Sequence, residues 1–136
     1  MRKTLARLLT AAAVLALAFG CAPVQEETHN GLKLWFPTDP ALGKLSFALD
    51  TCPYGGEDQS IPGLLFALLS GPPEDELNMI PSIPEGTRLL SWSLENRVAN
   101  VELSASYAEL VGVELTLADY CVTLTLAQLD SVADMT

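Results

Sequence analysis

Residues 83–107, IPEGTRLLSWSLENRVANVELSASY, restrict the fold more than any other segment of the chain. Apolar and polar residues alternate in both halves of this segment, which is typical of two half-buried β-strands. If Asn96 and Arg97 form the tip, Leu94 lies opposite Ala99, Trp92 opposite Val101 and Leu90 opposite Leu103. All six apolar side chains then lie on one face, and a slip of one residue would place Trp92 against a charge. The pattern therefore predicts a β-hairpin with this register.

The predicted hairpin also has a turn at its tip and a polar face. A two-residue type I′ turn would force Arg97 to a positive φ, so a four-residue loop over residues 95–98, with the same pairing, is the favoured alternative. The face opposite the apolar one is polar, and we predict that it is an interaction face formed by Ser91, Ser93, Asn100 and Glu102.

The first 20 residues have the composition of an export signal. Arg2, Lys3 and Arg7 precede a short apolar run, and Gly20 stands before Cys21. Residues 18–21 resemble a bacterial lipobox, in which the cysteine is lipidated and becomes the first mature residue. This resemblance implies a protein held on the outer face of the cell membrane by acyl chains on Cys21. The alternatives are an ordinary secretory peptide and an uncleaved anchor.

The charge of the chain limits its partners. Three of the seven basic residues but none of the seventeen acidic residues lie in the predicted signal, so the remainder carries a formal charge of −13. Such a domain is repelled by phosphate groups, which argues against nucleic acid as a partner and against binding flat on the bilayer.

The other segments predict an α+β fold. After a linker over residues 21–31, the domain over residues 32–136 begins with a strand at 32–36 and a weaker strand at 45–49, followed by an exposed loop at 50–59. Ser60 and Gly71 delimit a first helix, and Thr116 with Asp119 predicts the start of a second helix over 117–129. Between the hairpin and the second helix, Ser104 caps a turn that ends at Gly112. We expect a small mixed sheet with a central β-hairpin packed against two helices.

The residues do not predict catalysis. The chain has one histidine, His29, and it lies in the linker, so a nucleophile in the domain would lack a histidine base. Zinc-ligand spacing and phosphate-binding glycine loops are absent from the sequence, and we predict no metal, no cofactor and no enzymatic activity. Cys52 and Cys121 are either a disulfide of the exported protein or two buried thiols.

Three motifs carry a resemblance to a known family. They are Leu34-Trp35-Phe36-Pro37 in the first strand, Gly71-Pro72 after the first helix, and Pro84-x-Gly86-Thr87 before the hairpin. Together with the order of the elements over residues 32–132, they resemble the GerM domain of bacterial sporulation and spore-germination proteins. The resemblance implies an α+β domain without known catalytic residues, whose partners are envelope or spore-assembly proteins. The family domain ends in a further strand, so we expect a truncated or minimal domain in which that last strand is missing and an edge is open.

Two functions follow as hypotheses. The first is a lipid-anchored protein-interaction or assembly module in sporulation or germination. The alternative is a solute- or glycan-binding lipoprotein of the cell wall, in which aromatic rings stack on sugars; the candidates are Trp35, Tyr54, Trp92 and Tyr107. Because both tryptophans lie in apolar strands, we expect them to be core residues instead.

Overall fold

The computed structural model describes residues 31–42, 48–132 and 134–135. The predicted signal peptide, Cys21 and His29 lie outside the described residues, as does most of the strand expected at 45–49. Gly31–Thr136 form one compact unit.

The first two strands form an antiparallel pair. β1 spans Lys33–Pro37 and β2 spans Leu49–Pro53, with Leu34 opposite Cys52. Leu34, Phe36 and Cys52 are buried, so this pair contributes one wall of the core. The loop predicted at 50–59 is therefore wrong over residues 50–53, because backbone pairing with β1 holds that segment extended.

The first helix matches its predicted signals. α1 spans Ile61–Ser70, and the Gly63 N–H donates to the Ser60 hydroxyl oxygen at the N-cap over 3.3 Å. Gly71 ends the helix with φ of 84°, a conformation that glycine adopts without steric cost. One side of α1 faces the core, where Leu64, Leu65 and Leu68 are almost fully buried, whereas Phe66 is exposed.

The central hairpin forms with most of the predicted register. β3 spans Leu89–Glu95 and β4 spans Val98–Leu103, with Trp92 opposite Val101 and Leu94 opposite Ala99. The third predicted pair is wrong: a β-bulge at Leu90 places Leu89 opposite Leu103. The four-residue loop is also wrong, because Glu95 pairs with Val98 and both tip residues, Asn96 and Arg97, have positive φ of 52° and 68°.

A fifth strand lies beside β4. β5, Asp134–Met135, pairs in parallel with Val98 and Ala99. The sequence alone predicted an open edge here, and the structure shows that the edge of β4 is paired over these residues. The α+β class is confirmed, with the strands divided between a two-stranded sheet, β1-β2, and a mixed three-stranded sheet, β3-β4-β5.

The second helix begins earlier than predicted. α2 spans Gly112–Leu126, so Gly112 opens this helix and does not end the preceding turn. Thr116 lies within the helix, where its hydroxyl donates to the Gly112 carbonyl oxygen over 3.1 Å, and the capping-box interpretation is wrong. The preceding 3₁₀ helix, Ala105–Glu109, has no side-chain cap. Instead, the Ser104 hydroxyl oxygen accepts from the Arg88 N–H over 2.9 Å and extends the hairpin beyond its bulge.

The end of α2 is fixed to the outer edge of β1. Side-chain atoms of Gln128, just after the helix, bond both backbone groups of Lys33: Oε1 accepts from the N–H over 2.9 Å, and Nε2 donates to the carbonyl oxygen over 2.6 Å. The Trp35 N–H donates to the buried Thr125 hydroxyl oxygen over 3.2 Å. These bonds satisfy backbone groups that β2 does not reach. The core thus lies between β1, both helices and the side of the hairpin that carries Ala99.

Candidate interaction site

The predicted polar face is assembled on the hairpin. Its four members, Ser91, Ser93, Asn100 and Glu102, are all exposed. Together with Trp92 and Val101 they line one open concavity of about 480 Å³. The Ser91 hydroxyl donates to Glu102 Oε2 across the strands over 2.8 Å. The structure brings these residues together, and their role in binding a partner stays a prediction.

The apolar face of the hairpin is only partly covered. Ala99 is fully buried, whereas Leu94 directly opposite it is 36% exposed and Trp92 is 45% exposed. Leu90 is exposed as well. The expectation that both tryptophans are core residues is wrong for Trp92, because it lies in the part of the edge strand β3, from Leu90 to Glu95, where every residue is exposed. Trp35, in β1, is half-buried.

A second concavity lies beside the start of α2, and sequence reasoning missed it. It has a volume of about 450 Å³ and is mainly apolar, since residues from the irregular segment 80–85 lie beside Pro37, Leu110 and Leu117. Two exposed carboxylates, Glu85 and Glu114, also line it. Its prolines and leucines come from separate parts of the chain, so only the assembled fold could have placed them together.

The two described cysteines are buried free thiols. The structure thus has the second of the two alternatives, and no disulfide joins Cys52 to Cys121. Burial raises the pKa of Cys121 to about 11, although the neighbouring Ser82 side chain opposes part of the rise. Ser82 Oγ is itself buried and lacks a hydrogen-bond partner among the described residues. Burial, with Glu76 second, also raises the pKa of Cys52, so neither thiol has the properties of a reactive nucleophile.

The aromatic residues proposed for sugar stacking differ in exposure. Tyr54 and Tyr107 pack partly against the core, and both hydroxyls are engaged. The Tyr54 hydroxyl donates to the Asp58 carbonyl oxygen over 2.8 Å, and that of Tyr107 donates to Asp119 Oδ1 over 2.6 Å. Burial, followed by this hydrogen bond, raises the pKa of Tyr107 well above its ordinary value. Trp92 is exposed, whereas the other three candidates are half-buried.

The described residues contain no group of three or more His, Cys, Asp or Glu side chains suited to holding a metal ion. Within the same part of the chain, no helix combines the length and apolar character that crossing a bilayer requires.

Comparisons with known proteins identify the fold and the family. The structure is similar to the first GerMN domain of the sporulation protein GerM from Bacillus subtilis, with a TM-score of 0.60, 17% sequence identity and coverage of 76% of this chain and 77% of that chain. At this identity the likeness shows the fold alone. A comparison with curated proteins finds no match. The family model named Germane, described as sporulation and spore germination, matches residues 35–136, and the chain therefore belongs to the Germane family.

Proposed function

We propose that this chain is a lipid-anchored, non-catalytic protein of the cell envelope whose GerM domain acts as a protein-interaction module in sporulation or spore germination. The family supports the biological setting. The signal-like N-terminus and Cys21 support export and lipid anchoring on the outer face of the membrane. The observation that carries the interaction role is the hairpin, in which Leu90 to Glu95 are all exposed beside the polar concavity.

The chemistry of the polar concavity suits recognition. Two serine hydroxyls, an amide and a carboxylate offer hydrogen-bond donors and acceptors, and Trp92 beside them offers an amphipathic anchor of the kind enriched at protein interfaces. Because these groups stand on paired strands, they are held in position before a partner arrives. Their partner is an envelope or spore-assembly protein.

In-cell photocrosslinking tests the interaction role. A photoreactive amino acid replaces Ser93 in the full-length chain, and a matched control replaces Thr123, which is exposed on α2. We expect the Ser93 probe, and not the Thr123 probe, to capture an envelope protein during sporulation or germination. Equal capture at both positions, or none at either, would contradict the proposal.

Changing all four polar-face residues refines the location: the photoreactive probe stays at position 93, and Ser91, Asn100 and Glu102 are replaced by alanine. With circular dichroism unchanged, capture should be lost. If the partner is still captured, the polar face is not its site, and the binding surface must be sought at a strand edge.

Membrane fractionation tests the anchor. Cys21→Ser should move the chain out of the membrane fraction and abolish incorporation of labelled fatty acid, because the acyl chains have no other attachment point in this hypothesis. A Cys21→Ser chain that stays in the membrane, with no label in the unmodified chain, would favour an uncleaved anchor.

A solute- or glycan-binding lipoprotein of the cell wall is the second candidate, and the exposure of Trp92 favours it. Soluble cell-wall fragments should then shift the emission of Trp92 toward shorter wavelength as water is displaced from the ring. The variant Trp92→Phe reports Trp35 alone and serves as the control. An unchanged spectrum at saturating fragment concentration would exclude stacking at Trp92.

A further inference from the structure

The described residues leave the outer edge of β3 uncovered. Among them β3 pairs only with β4, and every residue from Leu90 to Glu95 is exposed. The outer edge of β1 differs, because Gln128 and Thr125 bond its backbone groups. An uncovered edge presents N–H and C=O groups that can pair with another strand, and native sheets usually protect such edges.

The side chains of β3 have a symmetric pattern about Trp92. Two antiparallel β3 strands related by a twofold axis at this residue would place Trp92 opposite Trp92 of the second copy, Leu94 opposite Leu90, and Ser91 opposite Ser93. Directly opposed residues point to the same face, so the apolar side chains meet on one face and the serines on the other. This self-complementarity is what a twofold interface requires.

Charge also favours a second copy over a basic partner at this edge. Residues 31–136 contain four basic and fifteen acidic residues, yet residues 88–103 contain two of each and are formally neutral. A second, equally acidic copy therefore meets no net repulsion at the hairpin. Arg88 and Glu95, exposed at the two ends of β3, form no ion pair with a described residue. Antiparallel pairing brings each close to its opposite charge on the other copy.

We propose that β3 pairs with β3 of a second copy to form a symmetric dimer with one sheet continuous through both chains. The β-bulge at Leu90 interrupts the regular edge, which confines the regular ladder to Ser91–Ser93 and leaves Leu94 beside the bulged Leu90 of the second copy at each end. So short an interface makes a weak dimer, below the standard interface of about 800 Å² per partner. Self-pairing uses the backbone edge and leaves the polar face of the hairpin available.

Register-specific disulfide trapping tests the dimer. Full-length chains carrying Ser91→Cys or Ser93→Cys, each with Cys21→Ser, are mixed under oxidising conditions; the native Cys52 and Cys121 are buried in both. We expect the mixture to form a covalent dimer more rapidly than either variant alone, because residue 91 faces residue 93 of the second copy. Thr123→Cys, mixed with Ser91→Cys, is the control on another surface.

Two trapping results would overturn the proposal. A mixture that cross-links no faster than the Thr123→Cys control would show that the edges do not pair. Faster self-cross-linking of Ser91→Cys would exclude the register centred on Trp92.

Sedimentation of the purified full-length chain in detergent gives a second readout. The unmodified chain should sediment faster as its concentration rises, and Trp92→Lys should lose this dependence, since a lysine on an edge strand opposes pairing. Leu77→Lys, at a position that is 78% exposed, should behave as the unmodified chain. An unmodified chain without any concentration dependence would overturn the proposal. The purified chain has no partner, so a missing concentration dependence would not bear on the proposed envelope interaction. Loss of photocrosslinking in cells would likewise not bear on the dimer.

Discussion

Two aromatic residues, each in a strand that the sequence predicts, should respond very differently to truncation. Phe36 is fully buried in β1, whereas Trp92 is 45% exposed on β3. Phe36→Ala removes all its core contacts and leaves a cavity, which costs about 3–5 kcal/mol. Trp92→Ala loses only the buried half of a side chain whose full burial contributes about 1.5–3 kcal/mol, so the expected cost is about 1 kcal/mol.

Urea unfolding followed by far-ultraviolet circular dichroism measures both costs. For a small domain the slope is about 1–3 kcal/mol per M, so Phe36→Ala should lower the midpoint by more than about 1 M and Trp92→Ala by less than that. If Phe36→Ala does not fold, Phe36→Leu gives a smaller loss at the same site. Leu77→Ala, at a largely exposed position, should leave the midpoint nearly unchanged. A Trp92→Ala loss equal to that of Phe36→Ala would refute the inference that β3 is an uncovered edge.

Three further perturbations test local features of the fold. Between pH 9.0 and about 11, the Cys121 thiol ionises in the unfolded chain but stays protonated in the folded one, so roughly 2–3 kcal/mol of stability is lost as the pH rises. Unfolding at pH 8 and pH 10.5 should show about 2 kcal/mol of this loss, and Cys121→Ala should reduce it; an equal loss in that variant would contradict the assignment. Ser60→Ala should cost about 1 kcal/mol through loss of the N-cap acceptor, measured by thermal unfolding, whereas a neutral effect would show that the cap is dispensable. Arg97→Gly and Arg97→Ala both remove the bond from Arg97 Nη2 to the Asp130 carbonyl oxygen, but only glycine relieves the positive φ, so Arg97→Gly should be more stable than Arg97→Ala by about 1–2 kcal/mol in urea unfolding; the reverse order would refute the argument.

Local signals predicted the elements whose geometry is set by neighbouring residues. Ser60 and Gly71 marked α1 because a helix cap and a helix stop depend on one side chain and one φ angle. The period-two pattern predicted the pairing of Trp92 with Val101, since a shift of one residue reverses every side chain of a strand.

Errors arose where distant segments decide the local structure. Thr116 and Asp119 have the spacing of a capping box, yet α2 starts at Gly112 and Asp119 instead accepts from the Tyr107 hydroxyl. Cys52 lies in β2 because β1 pairs with that segment, although its neighbours have turn-forming composition. At the hairpin tip, pairing of the two strands leaves a two-residue turn, and this turn requires a positive φ at Arg97 that a residue with a side chain disfavours.

The sequence by itself determined the α+β class, the hairpin and its polar face, because alternation and capping are properties of contiguous residues. The family could also be recognised from its contiguous motifs, and the match over residues 35–136 confirms it. Only the tertiary structure decided which strand lies at the edge, and therefore that Trp92 is exposed while Ala99, its near neighbour across the ladder, is fully buried. Alternation specifies which face of a strand is apolar, but coverage of that face depends on where the helices pack, and that position is set by contacts between segments far apart in the chain.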